Sequence, residues 1–129
     1  MATLDDAARL ALALPEVAEA DHHGNRSWTV DGKTFAWERS YSKADLKRFG
    51  EETPPRQPVL AVRTDDLSEK EAVLQVGTKG VFTIPHFDGY AAVLIELRAI
   101  GKRPLKELLT DGWLACAPPA LAERHMRTR

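Results

Sequence analysis

The dipeptide Asp31-Gly32 is the feature that most restricts how this chain folds. Asp-Gly between two β-rich runs is the strongest short-range signal for a two-residue hairpin loop, because glycine readily adopts the positive φ that such a turn needs. The loop sets three cross-strand pairs: Val30 with Lys33, Trp28 with Phe35, and Arg26 with Trp37. Since paired residues share a face, we expect one buried face to hold Trp28, Val30, Phe35 and Trp37.

Helical patterns occur in four other places. They cover residues 4–12, 68–76 and 104–117, with a short terminal helix over residues 120–126. The first repeats apolar side chains on one helical face and has a capping residue at Thr3. A capping box from Ser68 to Glu71 opens the second. Pro104 is favoured at the first position of the third.

Three more segments are predicted as strands, and they complete the fold class: Pro58–Arg63, Val81–Ile84 and Ala92–Ile100. A type I′ turn at Asp88-Gly89 would pair Ile84 with Val93 and Phe82 with Ile95, on one face with Leu97. The acidic residues 16–26 are predicted as a loop. The order α-β-β-β-α-β-β-α predicts an α+β fold, a single two-layer domain over residues 1–129. Its antiparallel sheet would have about five strands, with helices on one side.

Composition excludes several classes of protein. The 129 residues are 43% hydrophobic and 29% charged, as in ordinary globular domains. A net charge of −1 excludes a strongly basic nucleic-acid binder at the level of the whole chain. No apolar stretch is longer than that of residues 91–95, which is too short to span a membrane, so we expect no membrane partner. A single cysteine, Cys116, cannot form an internal disulfide, and we expect a reducing, cytoplasmic location.

Residues 39–58 are the longest stretch without a periodic pattern, and they are rich in cations. Ser42 with Asp45 would cap one or two helical turns there. On such a turn Lys43 and Lys47 are four residues apart and share a face. The segment therefore offers a candidate set of phosphate-binding residues, namely Arg39, Lys43, Lys47, Arg48 and Arg56.

A second candidate site is a polar pocket near the two turns, formed by His22, His23, His86, Asp88 and Tyr90. Two adjacent histidines point in different directions, and neither an HExxH motif nor a cysteine cluster accompanies them, so we expect no metal and no cofactor. No G-x-S-x-G motif occurs, and Cys116 falls near the end of an apolar helix. The sequence thus indicates a non-enzymatic protein with no catalytic residues.

Several segments together resemble the MmcQ/YjbR family of small bacterial proteins. The resembling segments are Leu12–Pro15, His22–Gly24, Trp28–Trp37, Pro58–Arg63, Leu67–Glu71, Phe82–Tyr90, Glu107–Trp113 and Ala117-Pro118. The resemblance spans nearly the whole chain. It implies a compact α+β fold like that of frataxin-type and secretion-chaperone-like domains. It also implies DNA binding through two hairpin wings, and it brings no catalytic residues.

The hairpin tips do not suit a polyanion, because they carry Asp31 and Asp88. The cationic segment over residues 39–56 is the better candidate for phosphate contacts, which provide affinity without sequence recognition. We therefore expect weak, sequence-independent binding of duplex DNA. The alternative is a small-molecule or protein-binding domain that uses the polar pocket of His22, His23, His86 and Asp88.

Overall fold

The computed structural model describes residues 1–22 and 24–127. Within them the helices are α1 Leu4–Leu12, α2 Lys43–Phe49, α3 Leu67–Val76, α4 Lys102–Cys116 and α5 Pro119–Arg127. The strands are β1 Val17–His22, β2 Asn25–Val30, β3 Lys33–Glu38, β4 Val59–Arg63, β5 Val81–Phe82 and β6 Ala92–Glu96. They form one sheet in the order β1-β2-β3-β4-β6-β5, and every neighbouring pair is antiparallel. The α+β class is confirmed.

Two predicted helix caps are confirmed and one is wrong. Thr3 caps α1 through the backbone N–H of Asp6, and Ser42 caps α2 through that of Asp45. The cap of α3 is Asp66, whose carboxylate accepts a hydrogen bond from the Glu69 backbone, rather than Ser68. Asp66 lies nearer the true start of the helix and is an equally good cap by residue type. The short helix α5 also forms where a terminal helix was predicted.

The main core lies between one face of the sheet and the helices α1, α4 and α5. Its largest fully buried side chains include Trp28, Phe35 and Trp113. Gly112 lets α4 approach the sheet closely, since a Cβ added there would lie 2.8 Å from Val62 Cγ1. Because α4 packs on one face of β3 and β4, functional side chains of these strands can lie on the opposite face.

The first hairpin has the predicted turn but not the predicted register. Asp31 and Gly32 both have positive φ, at 51° and 76°, and Val30 pairs with Lys33. Phe35 is then an extra residue in β3, so Trp28 pairs with Ala36 and Ser27 pairs with Trp37. A β-bulge of this kind reverses the alternation beyond it. The predicted pairs Trp28–Phe35 and Arg26–Trp37 are therefore wrong, and Trp37 leaves the main core for the opposite face.

The second hairpin differs more from its predicted structure than the first. Only Val81 and Phe82 pair with β6, to Ile95 and Leu94, because the chain turns into a 3₁₀-helix at Pro85 and proline has no N–H for a ladder. The turn at Asp88-Gly89 exists, but Asp88 has φ −60° and ψ 131° and Gly89 has φ 75°, which is type II and not type I′. The prediction that these residues share one face is wrong as well. Phe82, Ile84 and Leu94 lie on the face of the sheet opposite the main core, which we call the second face, while Ile95 and Leu97 lie in the main core.

Residues 17–22 form the edge strand β1, where a loop was predicted. The acidic residues that suggested a loop are accommodated at the edge, because Glu19 accepts hydrogen bonds from Arg26 and from Trp28 Nε1 at 3.0 Å. The bond from Arg26 is the main reason that the pKa of Glu19 lies below its ordinary value. The sheet consequently has six strands rather than about five.

The second face of the sheet is only partly covered. A small cluster over β4, β5 and β6 contains Val59, Ala61, Ile84, Phe87, Ala92 and Leu94, and Phe49 of α2 packs on it. Because α2 lies on this side, the helices are not confined to one face as predicted. The remaining half of the face, on β1, β2 and β3, borders an open cavity.

Tyr41, beside this second cluster, gives a test of the fold in solution. Its hydroxyl donates to the carbonyl of Pro55 at 2.8 Å, and burial, followed by the charges of Glu96 and Asp45, raises its pKa to about 12. With Tyr90 replaced by Phe, Tyr41 is the sole tyrosine. We expect its absorbance at alkaline pH to titrate near pH 12, whereas an unfolded tyrosine titrates near about 10.

The sign of the accompanying change in stability follows from linkage. Above about pH 10 the unfolded chain loses the Tyr41 proton first, so the free energy of unfolding should fall as pH rises toward 12. A Tyr41→Phe variant should lack this contribution. A midpoint near pH 10 in the folded protein would show that Tyr41 is not buried as described.

Candidate functional site

The open half of the second face contains a cavity of about 710 Å³, which we call the sheet cavity. Its floor consists of small and hydroxyl-bearing side chains on β1, β2 and β3, and its wall of larger aromatic and cationic groups. The floor includes Ala20, Ser27, Thr29 and Thr34, and the wall includes Trp37, Arg39, Arg63 and Tyr90. The lining comes from β1, β2, β3 with the residues that follow it, β4, and the turn that carries Tyr90.

Strand alternation produces the polar floor. Ser27 and Thr29 alternate with Trp28 and Val30 along β2, so the apolar pair enters the main core and the hydroxyl pair faces the cavity. Ser27 is buried, and its Oγ lies 3.4 Å from the carbonyl oxygen of Ala20 on β1. The floor is therefore polar and formed by paired strands.

The aromatic part of the wall exists because of the bulge in β3. With the register shifted after Phe35, Trp37 lies against Phe87 and Tyr90, at ring-centroid distances of 6.4 and 6.2 Å. Phe87 and Tyr90 contact each other edge to face at 5.5 Å. Trp37 is half-buried, so one part of its ring packs on this group and another part borders the cavity.

Lys70 of α3 fixes the turn that carries Tyr90. Its ammonium is buried and donates to the carbonyl oxygens of Phe87 at 2.6 Å and Tyr90 at 2.8 Å. Burial lowers the pKa of Lys70, and the nearby charge of Asp88 partly opposes that effect. A buried amine with two carbonyl partners holds the position of the turn, and therefore of the Tyr90 ring at the cavity wall.

Two arginines of the cavity are engaged with carboxylates. Arg26 forms ion pairs with Glu19 at 2.9 Å and Asp5 at 3.0 Å, and Arg39 pairs with Asp45 at 2.9 Å. Burial alone would raise the pKa of Asp45. Hydrogen bonds from Ser42 and the charge of Arg39 outweigh burial and hold that pKa below its ordinary value. The positive charges of Arg26 and Arg39 are thus largely balanced within the protein.

Arg63, at the end of β4, is not in an ion pair with a described carboxylate, unlike Arg26 and Arg39. Its Nη1 donates to the Tyr90 hydroxyl over a long 3.3 Å, and its guanidinium carbon lies 5.5 Å from the centre of the Tyr90 ring. Its Nε is buried and has no hydrogen-bond partner among the described residues, nor does any carboxylate of residues 1–22 and 24–127 form an ion pair with it. Arg63 therefore keeps hydrogen-bonding capacity at the cavity.

The five cations predicted to bind phosphate do not form one free set. Arg39 is paired with Asp45, and Arg56 is paired with Glu96 at 3.0 Å. The other three, Lys43, Lys47 and Arg48, lie exposed on α2. Arg56 is exposed as well, and of the five only Lys43, Lys47 and Arg48 form no ion pair among the described residues.

The structure describes three of the five side chains of the predicted polar pocket, and of these only Tyr90 lines the sheet cavity. His23 lies outside the described residues, as does the side chain of His22, whose backbone pairs with Asn25 at the end of β1. His86 and Asp88 are exposed on the turn after β5 and do not line the sheet cavity, whereas Tyr90 does. Within residues 1–22 and 24–127, no three His, Cys, Asp or Glu side chains gather as a metal site.

Sequence reasoning missed the residues that build the cavity: Thr29, Thr34, Trp37 as a wall residue, and Arg63. One feature of the sequence could have pointed to Arg63 as a residue of this site. Arg63 ends the apolar run of β4 on the same strand face as Val59 and Ala61, so its side chain had to emerge beside that cluster. No such feature pointed to Trp37, because a bulge is not visible in an apolar pattern of this length.

The fold and the cavity define a small α+β protein with an open antiparallel sheet and one concave, partly cationic face. The YjbR family model matches residues 12–115, so the chain belongs to the YjbR family. It is 44% identical to the uncharacterized protein Rv2570 of Mycobacterium tuberculosis (strain H37Rv) and to the uncharacterized protein Mb2600 of Mycobacterium bovis, over 98% of this chain and 97% of each relative. No solved structure matches the chain. No described helix has the length and apolar character to cross a membrane.

Proposed function

We propose that this protein is a non-enzymatic binding protein whose small-molecule ligand occupies the sheet cavity. The observation that carries the proposal is the cavity itself, about 710 Å³ on the half of the second face that helices leave open. That volume lies in the range of about 300–1,000 Å³ that ligand sites occupy. Polar groups on a rigid floor and aromatic rings on one wall are the usual means of orienting a bound molecule.

The chemistry of the lining favours binding over catalysis. Among the described residues that line the cavity there is neither histidine nor cysteine. The two serines of the lining lie within hydrogen-bonding distance of other partners, Ser27 with the Ala20 carbonyl and Ser40 with Asn25. A nucleophile needs an adjacent base, and the serines have none among these contacts.

The proposal is tested by a fragment screen monitored by two-dimensional ¹H–¹⁵N NMR. We expect at least one neutral or charged fragment to shift resonances of β2, β3 and Arg63 along a saturable curve. Resonances of the exposed face of α2 serve as the internal control and should stay in place. If every fragment left the strand resonances unchanged, the cavity would not be a ligand site.

A second candidate function is DNA binding, favoured by one observation: the three exposed cations of α2, Lys43, Lys47 and Arg48. They lie on a short helix beside the paired Arg39, so as many as three phosphates could be neutralised. With a net charge of −1 the whole chain supplies no long-range attraction. This binding would be weak, at roughly 10⁻⁴ to 10⁻⁶ M under physiological salt, and independent of sequence.

The salt dependence of duplex binding tests this second candidate. Three phosphate contacts give a slope of log affinity against log salt of about −3, since each contributes about −0.9. Replacing Lys43, Lys47 and Arg48 together by alanine should flatten that slope by about two to three and leave the fold intact. Undetectable binding at low salt, or an unchanged slope in the triple variant, would remove α2 as a DNA contact.

A further inference from the structure

We propose that the ligand of the sheet cavity is an organic oxyanion, a carboxylate or a phosphate monoester, and that Arg63 anchors it. The inference rests on the proposed function and names the class of ligand. It starts from the charges around the cavity, where four basic side chains face two acidic ones. Two of the four, Arg26 and Arg39, are already engaged in ion pairs.

Of the three arginines that line the cavity, Arg63 is the one whose hydrogen-bonding groups are least satisfied by the described residues. A single 3.3 Å bond to the Tyr90 hydroxyl holds its head group, and its Nε is buried without a partner among the described residues. A buried donor without a partner is destabilising, and such groups are rare in folded proteins. Because Nε is enclosed, an oxyanion in the cavity would meet the terminal Nη groups of Arg63 and supply the missing opposite charge.

The geometry of Arg63 leaves its donors available to a ligand. Its guanidinium carbon lies over the Tyr90 ring at 5.5 Å, so the aromatic face and its quadrupole support one side of the planar group. Hydrogen bonds from a guanidinium lie in its plane. One of them reaches the Tyr90 hydroxyl, and the remaining terminal N–H groups are left for an acceptor in the cavity. The planar fork matches the two oxygens of a carboxylate or phosphate, a match that lysine cannot reproduce.

The rest of the cavity indicates what the anion is attached to. Trp37 borders the same cavity with part of its ring, and the floor beside it carries the hydroxyls of Thr29 and Thr34. A planar or apolar body would lie against the indole, while polar substituents would meet the hydroxyl groups. A free inorganic anion would use only the Arg63 end of the cavity, and we therefore infer an organic molecule.

The test uses NMR titrations of the full chain with three probes: benzoate, phenyl phosphate and neutral benzamide. Binding of benzoate or phenyl phosphate should shift the Nε–H resonance of Arg63 and the indole N–H of Trp37 together. Benzamide, which has the same ring without the charge, should bind at least about tenfold more weakly. The two anions distinguish carboxylate from phosphate ligands by which one binds more tightly.

Two variants that each remove one positive charge show whether the ligand needs Arg63 itself or only the net positive charge of the protein. Arg63→Gln should weaken binding of the tighter anion by about ten- to one-hundred-fold, as expected for loss of a charged hydrogen-bonding partner. Arg56→Gln, which loses an arginine outside the cavity, should leave that affinity within about twofold. Arg63→Lys should recover only part of the loss. Unchanged spectra of the remaining strands verify that each variant is folded.

The outcomes distinguish the two proposals. If benzamide shifts the cavity resonances as strongly as benzoate, or if Arg63→Gln binds as tightly as the native chain, the oxyanion inference is overturned while a ligand site remains. If no probe or other fragment reaches the cavity, both proposals fail. If duplex DNA shifts the Arg63 Nε–H at lower concentrations than either anion and displaces them, the ligand is a nucleic-acid phosphate and the small-molecule assignment is overturned.

Discussion

Replacing Trp28 by alanine is expected to destabilise the protein by about 3–5 kcal/mol, the usual range for removal of a large aromatic side chain from a core. Trp28 is fully buried, and its Nε1 donates to Glu19, which also binds Arg26. Removing the indole leaves a cavity between the sheet and α1 and takes away a partner of Glu19. Urea denaturation measures this loss as a lower midpoint at constant slope.

The matched variant is Trp37→Ala on the neighbouring strand. Because Trp37 is half-buried at the cavity wall, we expect a smaller loss of about 1–2 kcal/mol, together with loss of ligand binding in the sheet cavity. A hairpin without the bulge would place both tryptophans in one core, and the two variants would then lose the same free energy of unfolding. Equal losses in the two variants would therefore show that the β-bulge at Phe35 is absent.

Gly112→Val is expected to be the most disruptive change in α4, with a loss of roughly 3 kcal/mol or more from overpacking. A Cβ at this position would lie 2.8 Å from Val62 Cγ1, 3.1 Å from the Arg63 carbonyl oxygen and 3.3 Å from that of Phe35. Two of these atoms belong to the backbone of the sheet and cannot rotate away. The helix would have to move off β3 and β4.

The control for this prediction is Lys106→Val, on an exposed position of the same helix. It introduces the same β-branched side chain at the cost of helix propensity alone, about 0.5 kcal/mol. Thermal or urea unfolding of both variants gives the comparison. Similar small losses at the two positions would contradict the close packing of α4 on the sheet.

Local signals in the sequence were sufficient for the elements that depend on neighbours in the chain. The Asp31-Gly32 turn and the caps Thr3 and Ser42 each involve groups within about three residues, and all are confirmed. The α+β class followed from the order of such elements. The end of β5 and the type of the Asp88-Gly89 turn could not be predicted in this way. The extended pattern continues through Ile84 and gives no sign that the strand ends after Phe82.

Other features depend on tertiary contacts that no short pattern reports. The edge strand β1 is stabilised in part by Glu19, whose partners Arg26 and Trp28 lie on the next strand. The bulge at Phe35 changes which face Trp37 occupies without changing any propensity.

The candidate site was the least predictable part of the protein. Counting cations along residues 39–56 could not show that Arg56 pairs with Glu96, forty residues away. In the same way, the availability of Arg63 depends on what surrounds it in space: Tyr90 on one side and no described carboxylate within ion-pair distance. A list of charged residues identifies candidates, and only their contacts show which of them can meet a ligand.

The most direct test of the ligand site is a crystal structure of the protein soaked with 4-iodobenzoate, in which the anomalous signal of iodine locates the ring. We expect iodine in the sheet cavity beside Trp37, with the carboxylate within hydrogen-bonding distance of Arg63. The same soak of Arg63→Gln crystals should show little or no iodine there. Iodine found only outside the cavity, for example at the cations of α2, would contradict the assignment of the open sheet face as the binding site.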